Sequence, residues 1–136
     1  MIFPIGNQRV GIVTDVPVLD GGDPVVSEFG EPVYEDDPMV VWVDGCLFES
    51  QTPSEQQNLT ITTSDVAWAF MPVAEGQVPA VTDAGASAPV AVTSITSSVK
   101  LRHDGRTYVM RGDAVLEKDI HGREDHVLCL CERERG

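Results

Sequence analysis

Twelve glycines and nine prolines interrupt this chain so often that no window carries a sustained, capped i, i+3, i+4, i+7 apolar repeat. That repeat is what an amphipathic helix needs to bury one face. The runs between the interruptions are short and rich in Val, Ile, Thr and aromatic residues. Such runs suit pleated, half-buried strands. The predicted fold class is all-β: a small β-barrel or sandwich with two long loops and little or no helix. Strands are predicted at about Gln8–Thr14, Met39–Val43, Cys46–Glu49, Asn58–Thr63, Ala67–Pro72, Ser98–His103, Arg106–Arg111, Ala114–Glu117 and Val127–Glu132. A length of 136 residues fits one domain, residues 1–136, with a single modest core.

The two long loops are expected at 16–38 and 73–94. The first is turn-rich and acidic. The second, "VAEGQVPAVTDAGASAPVAVTS", is small-residued and nearly uncharged. Loops that long in a compact domain are functional or disordered more often than not. The low charge of 73–94 points to ordering against a partner or against copies of the same chain. Val73, Gln77, Val78, Val81, Ala86 and Val90 are the candidate residues for that interface.

Charge divides the chain. Formal net charge is −13, and no Lys or Arg occurs between Val10 and Val99, where 14 acids lie. From Lys100 onward 8 basic residues balance 8 acidic ones. Autonomous nucleic-acid binding is disfavoured, because phosphate contacts need clustered cations. The acidic part either serves solubility or forms a face that docks on a basic partner or repels nucleic acid. Glu28, Glu31, Glu35, Asp36 and Asp37 are the candidate residues of that face. No stretch approaches the roughly 20 apolar residues of a membrane span. The opening "MIFPIGNQRV" has no basic start and no long apolar run, so a cytosolic origin is expected.

Residues 99–116, "VKLRHDGRTYVMRGDAVL", read as a hairpin turned at Asp104-Gly105, followed by a second turn at Arg111-Gly112-Asp113 and another strand. That triplet serves adhesion only on an exposed extracellular loop, and Asn58-Leu59-Thr60 is a glycosylation sequon only in a secreted chain. In "HVLCLCERE" both faces are apolar, which predicts a central, buried strand. Trp42, Trp68, Phe48, Phe70 and Tyr108 fall in predicted strands, and core packing is expected for them. Trp68 and Phe70 share a face opposite Ala67, Ala69 and Met71. Three cysteines argue against a disulfide framework. Cys129-x-Cys131 on a strand sets its sulfurs about 6.5–7 Å apart along the chain, a poor chelate beside the usual zinc knuckle. No Gly-x-Ser-x-Gly, His-Glu-x-x-His or phosphate loop is present. The expectation is a non-enzymatic chain without metal or cofactor.

The order of "MIFPIGNQRVGIV", Gly45-Cys46-Leu47-Phe48, Val-x-Trp-x-Phe-x-Pro over 66–72, and Val99-x-Leu-x-x-x-Gly-Arg-x-Tyr-x-Met-x-Gly-Asp over 99–113 resembles the head-to-tail stopper proteins of long-tailed bacteriophages, especially those of actinobacteria. The likeness is one of layout across most of the chain. It implies a small β-barrel or sandwich in the virion neck. Copies would form a homo-oligomeric ring, commonly a hexamer, between the portal–adaptor assembly and the tail. The ring would close the filled head and later let DNA pass without binding it specifically. The resemblance implies a channel loop but does not choose between 73–94 and 16–38. Both loops look longer than in the shortest relatives, and the Gly-rich turn before the last strand reads "His-Gly-Arg-Glu-Asp-His" here. Two other readings stay open: a tail terminator or other connector, and a small all-β binding module, metal-linked through Cys129, Cys131 and His126.

Overall fold

The computed structural model describes residues 4–51 and 66–134. Its strands are β1 (Gln8–Thr14), β2 (Leu19–Asp20), β3 (Asp23–Pro24), β4 (Met39–Gln51), β5 (Val66–Met71), β6 (Gln77–Val78), β7 (Ala80–Val81), β8 (Val90–Ala91), β9 (Lys100–His103), β10 (Arg106–Met110), β11 (Val115–Lys118) and β12 (Glu124–Arg133). Six of them close an antiparallel barrel in the order β1-β9-β10-β12-β5-β4, with β4 returning to β1. Closure leaves those six strands no free edge. β7 adds to β4 and β11 to β12 outside the ring. The all-β prediction therefore holds, as a barrel.

Strand pleating explains the interior. Val10 and Ile12 of β1, Leu101 of β9, Tyr108 and Met110 of β10, and Val127, Cys129 and Cys131 of β12 all point inward and are buried. Cys129 faces Ala69 and Cys131 faces Ala67 across the β12–β5 ladder. These small residues give the large side chains opposite them room inside a narrow barrel. Phe48 is buried as well, in edge contact with Tyr108 at 4.9 Å between ring centroids.

The barrel corrects several expectations. Met39–Val43 and Cys46–Glu49 are not separate strands but one continuous β4. It bends at Gly45, whose φ is 77°. Before the bend β4 pairs with β1 and β7; after it, with β1 only through Cys46 and Gln8, and then with β5. The sequence reading took this glycine as a break because it ignored that a closed barrel needs a corner. Trp42, Trp68 and Phe70 lie on the outer face and are half-buried, unlike Phe48 and Tyr108. Trp68 sits opposite Leu130, and Phe70 opposite both Leu128 and Leu47. β12 is thus central, but Leu128 and Leu130 shelter behind aromatic neighbours rather than inside a core. The strand predicted at Asn58–Thr63, like the sequon, lies outside the described residues.

Candidate functional site

The strand directions define two ends. β1 ends and β4 begins at the same end, where Thr14 and Met39 are partners. β9 begins there and β10 ends there, since Lys100 faces both Val13 and Val109. Three further pieces of chain gather at this end: the segment between Thr14 and Met39, the segment after β5, and the β11–β12 hairpin.

The first segment, expected as a partly ordered loop, is a folded arm. Pro17 bridges to Tyr34 and Val26 to Pro32, and β2 pairs with β3 around Gly21-Gly22. Three valines close a cycle of backbone hydrogen bonds. Val18 N–H donates to the Val33 carbonyl (2.9 Å), Val33 N–H to Val25 (3.0 Å) and Val25 N–H to Val18 (2.9 Å). Prolines at 17, 24 and 32 hid these short strands, because Pro is tolerated where no ladder N–H is required. Ser27 closes the outermost turn. Its hydroxyl accepts from the N–H groups of Phe29 (3.2 Å) and Glu31 (3.3 Å), and its carbonyl accepts from Gly30 N–H (2.9 Å). Phe29 on that turn is 83% exposed. Glu28, Glu31, Glu35, Asp36 and Asp37 are all exposed on the same arm. None has an ion-pair partner among the described residues. The structure thus brings the predicted acidic residues together. It adds exposed Leu19, Val26, Phe29 and Tyr34 among them, which the charge-based reading missed. A large aromatic in the acidic turn Ser-Glu-Phe-Gly was the available signal.

The second segment corrects the prediction more strongly. Residues 73–94 are a cap built onto the barrel end, not an open loop. Glu75 and Gly76, with φ of 53° and 73°, form a tight turn whose Gly76 N–H donates to Glu124 Oε2 at 3.1 Å. β6 then pairs with β8, and β7 with β4. Val73 and Val78 are buried in the core, with Ala80 and Val92. They cannot present themselves to a channel or to another subunit in this arrangement. Gln77 and Ala86 are exposed, while Val81 and Val90 are half-buried. The six predicted residues therefore form no common surface. Apolar composition was read as partner-facing when it belonged to this chain's own core. The cap is also tied to the barrel wall from outside. Trp42 Nε1–H donates to Asp83 Oδ1 at 2.6 Å, and the Arg9 guanidinium stands 5.1 Å from the Trp42 ring centroid.

Between cap and barrel mouth lies an open pocket of about 370 Å³ lined by Ile12, Thr14, Met39, Val41, Thr82, Ala88, Pro89, Val90, Ala91 and Ser94. None of these residues is charged. Val90 is the predicted residue that reaches it. Thr14 and Met39 also flank the arm, so the arm springs from the pocket's edge. The third piece, the β11–β12 hairpin, runs past Val127, the residue opposite Met71 at the end of β5, to a tip at Ile120, which is 95% exposed.

The remaining chemical-looking residues lie in the barrel wall and its turns. Cys129 and Cys131 point into the barrel, whereas His126 lies on the outer face, 5.5 Å from the Phe70 ring and 2.6 Å from Asp125. The three side chains do not converge, and no group of three potential metal ligands is found among the described residues. Burial pushes the thiols of Cys46, Cys129 and Cys131 up to about 12. Arg111-Gly112-Asp113 is a turn: Gly112 has φ 95°, Asp113 Oδ1 accepts from Ser97 N–H at 3.1 Å, and Arg111 stands 3.6 Å from Glu132. His103 stacks on Phe48, with ring centroids 4.0 Å apart. No helix among the described residues is long and apolar enough to cross a membrane. Comparison of the chain with protein-family models, with curated proteins and with solved structures finds no match.

Proposed function

We propose that this chain is a non-enzymatic structural protein of a bacteriophage neck, of the head-to-tail stopper kind. Six copies would form a ring between the portal–adaptor assembly and the tail, closing the filled head and opening for DNA at ejection. The observation that carries the reading is the closed barrel with an acidic arm, an apolar-tipped hairpin and a folded cap gathered at one end. A barrel without free edges is a rigid wall unit. Projections from a single end give such a unit a direction, which a ring between two unlike partners requires. Of the two segments that the resemblance left open, 16–38 is the better channel element. It stands on hydrogen bonds of its own and carries seven acids without a base. Carboxylates facing the duplex avoid the counterion-releasing phosphate contacts that would make DNA stick.

Imaging of the neck in virions that carry this chain tests the reading. The expected result is six barrels in a ring between adaptor and tail, with the carboxylates of the arms toward the lumen. Absence of the chain from purified virions, or its location at the distal end of the tail, would reject it.

A further inference from the structure

We infer that the arm of one copy docks on a second copy by seating Phe29 in the pocket at the arm-bearing end of its neighbour's barrel. The inference rests on the ring reading for the parallel stance of neighbouring copies; the fit itself is read from the two surfaces.

Phe29 is 83% exposed, yet its backbone is held by the Ser27 hydroxyl and carbonyl. An aromatic ring presented on a fixed turn loses little freedom on docking, which is what makes such a residue an anchor. The pocket answers it in kind. Its apolar wall includes Ile12, Met39, Val41, Pro89 and Val90, and its polar members are neutral hydroxyl residues. Its volume of about 370 Å³ is ample for a phenyl ring, since pockets from roughly 300 Å³ upward bury small molecules. Met39, at the arm's root, is 54% exposed and gains cover from an incoming ring.

Reach and orientation agree. Eight residues separate Gly30 from Met39, which at ~3.3 Å each span about 25 Å when extended. Because the arm leaves from the pocket's edge, a copy standing alongside with its barrel parallel holds its own pocket at the level of the arm's root. Tip and pocket are different surfaces, so the contact is heterologous and closes into a ring under rotation. The high exposure of Phe29 shows that it does not fold back into the pocket of its own chain.

Charge separates this occupant from a basic partner. Every copy carries a formal net charge of −13, and no cation lines the pocket. Self-docking therefore works against repulsion and strengthens as salt screens it, whereas docking on a basic partner weakens with salt.

Sedimentation of the full chain across a concentration series, at low and high salt, tests the inference. The wild type should self-associate, more tightly at high salt. Phe29→Ala should raise the apparent dissociation constant at least tenfold, and Phe29→Leu should restore part of the loss. A photoreactive benzoylphenylalanine at position 29 should cross-link between chains to peptides containing Met39 or Val90. A wild type that stays monomeric throughout, a Phe29→Ala variant that associates equally well, association weakened by salt, or cross-links elsewhere would each overturn the contact. Neck imaging keeps the two ideas apart: a ring that assembles from the Phe29→Ala chain rejects the contact and leaves the ring. Phe29-dependent association of a chain absent from virions rejects the ring and leaves the contact.

Discussion

Cys46, Cys129 and Cys131 are fully buried, and burial holds each thiol near a pKa of about 12. Thiolate, not thiol, is the nucleophile. At mildly alkaline pH the folded protein should therefore react with none of its three thiols on the mixing timescale of a colorimetric disulfide reagent, and with all three once denatured. Fast labelling of even one thiol in the native state would contradict the inward register of β4 or β12. His103 gives a second residue-scale test. Burial against Phe48 lowers its pKa below the ordinary 6.5, and the Asp104 carboxylate beside it only partly opposes this. The unfolded chain then takes up this proton more readily than the folded one, so stability falls as pH drops below about 6.5 and is unaffected above it. In His103→Phe, which keeps a ring over Phe48, the Tm should gain on the wild type as pH falls from about 6.5 toward 5. Carboxylates and the other two histidines are common to both proteins and cancel. A Tm difference independent of pH would refute the assignment.

At the scale of elements, Gly45 makes the clearest case for how β4 serves two halves of the barrel. Gly45 and Gly105 share a φ of 77°. A Cβ at Gly105 meets nothing within 4 Å, whereas one at Gly45 lies 3.0 Å from the Pro4 side chain. Gly105→Ala should cost the left-handed penalty alone, about 1–2 kcal/mol. Gly45→Ala should cost more, because the N-terminal segment bonded to the Gly45 carbonyl through Ile5 and Gly6 N–H must shift. Chemical denaturation of both variants measures the difference, and equal costs would mean that the corner tolerates a side chain. This corner also marks the limit of what was readable in the sequence. The hairpin at Asp104-Gly105 was legible because its turn chemistry is local and Asp tolerates positive φ. β12 was legible as a central strand because both faces are apolar. The turn at Glu75-Gly76 was not, since Glu is a poor residue for its φ of 53° and the Glu124 carboxylate that supports it is distant in sequence. Val73 and Val78 were misassigned for the same reason: composition marks a residue as apolar, but only the barrel mouth shows that this chain buries it itself. The acidic arm was legible in charge, because charge needs no partner to be counted. Phe29 was passed over because the arm was read for its sign alone.

For the whole molecule the question is whether arm and barrel are one cooperative unit or two. Among the described residues, the arm's backbone hydrogen bonds run within 16–35, and Thr14 faces Met39 directly across the β1–β4 ladder. Two facing residues at the ends of antiparallel strands can be joined by a two-residue Asn-Gly turn. Replacing residues 15–38 by Asn-Gly removes eight carboxylates and takes the formal net charge from −13 to −5. It also shortens a 24-residue connection to two, which lowers the entropy of closing β1 onto β4 by about 2 kcal/mol. Both changes favour the barrel, the first by relieving self-repulsion. The armless chain should therefore fold cooperatively, with near-ultraviolet circular dichroism like that of the parent and a stability to denaturant equal to it or up to about 2 kcal/mol higher. It should also be monomeric, having lost Phe29 while keeping its pocket. Loss of a cooperative transition would show that arm and barrel share a core. In that case the arm would be a wall of the protein rather than the reaching element on which ring and contact both depend.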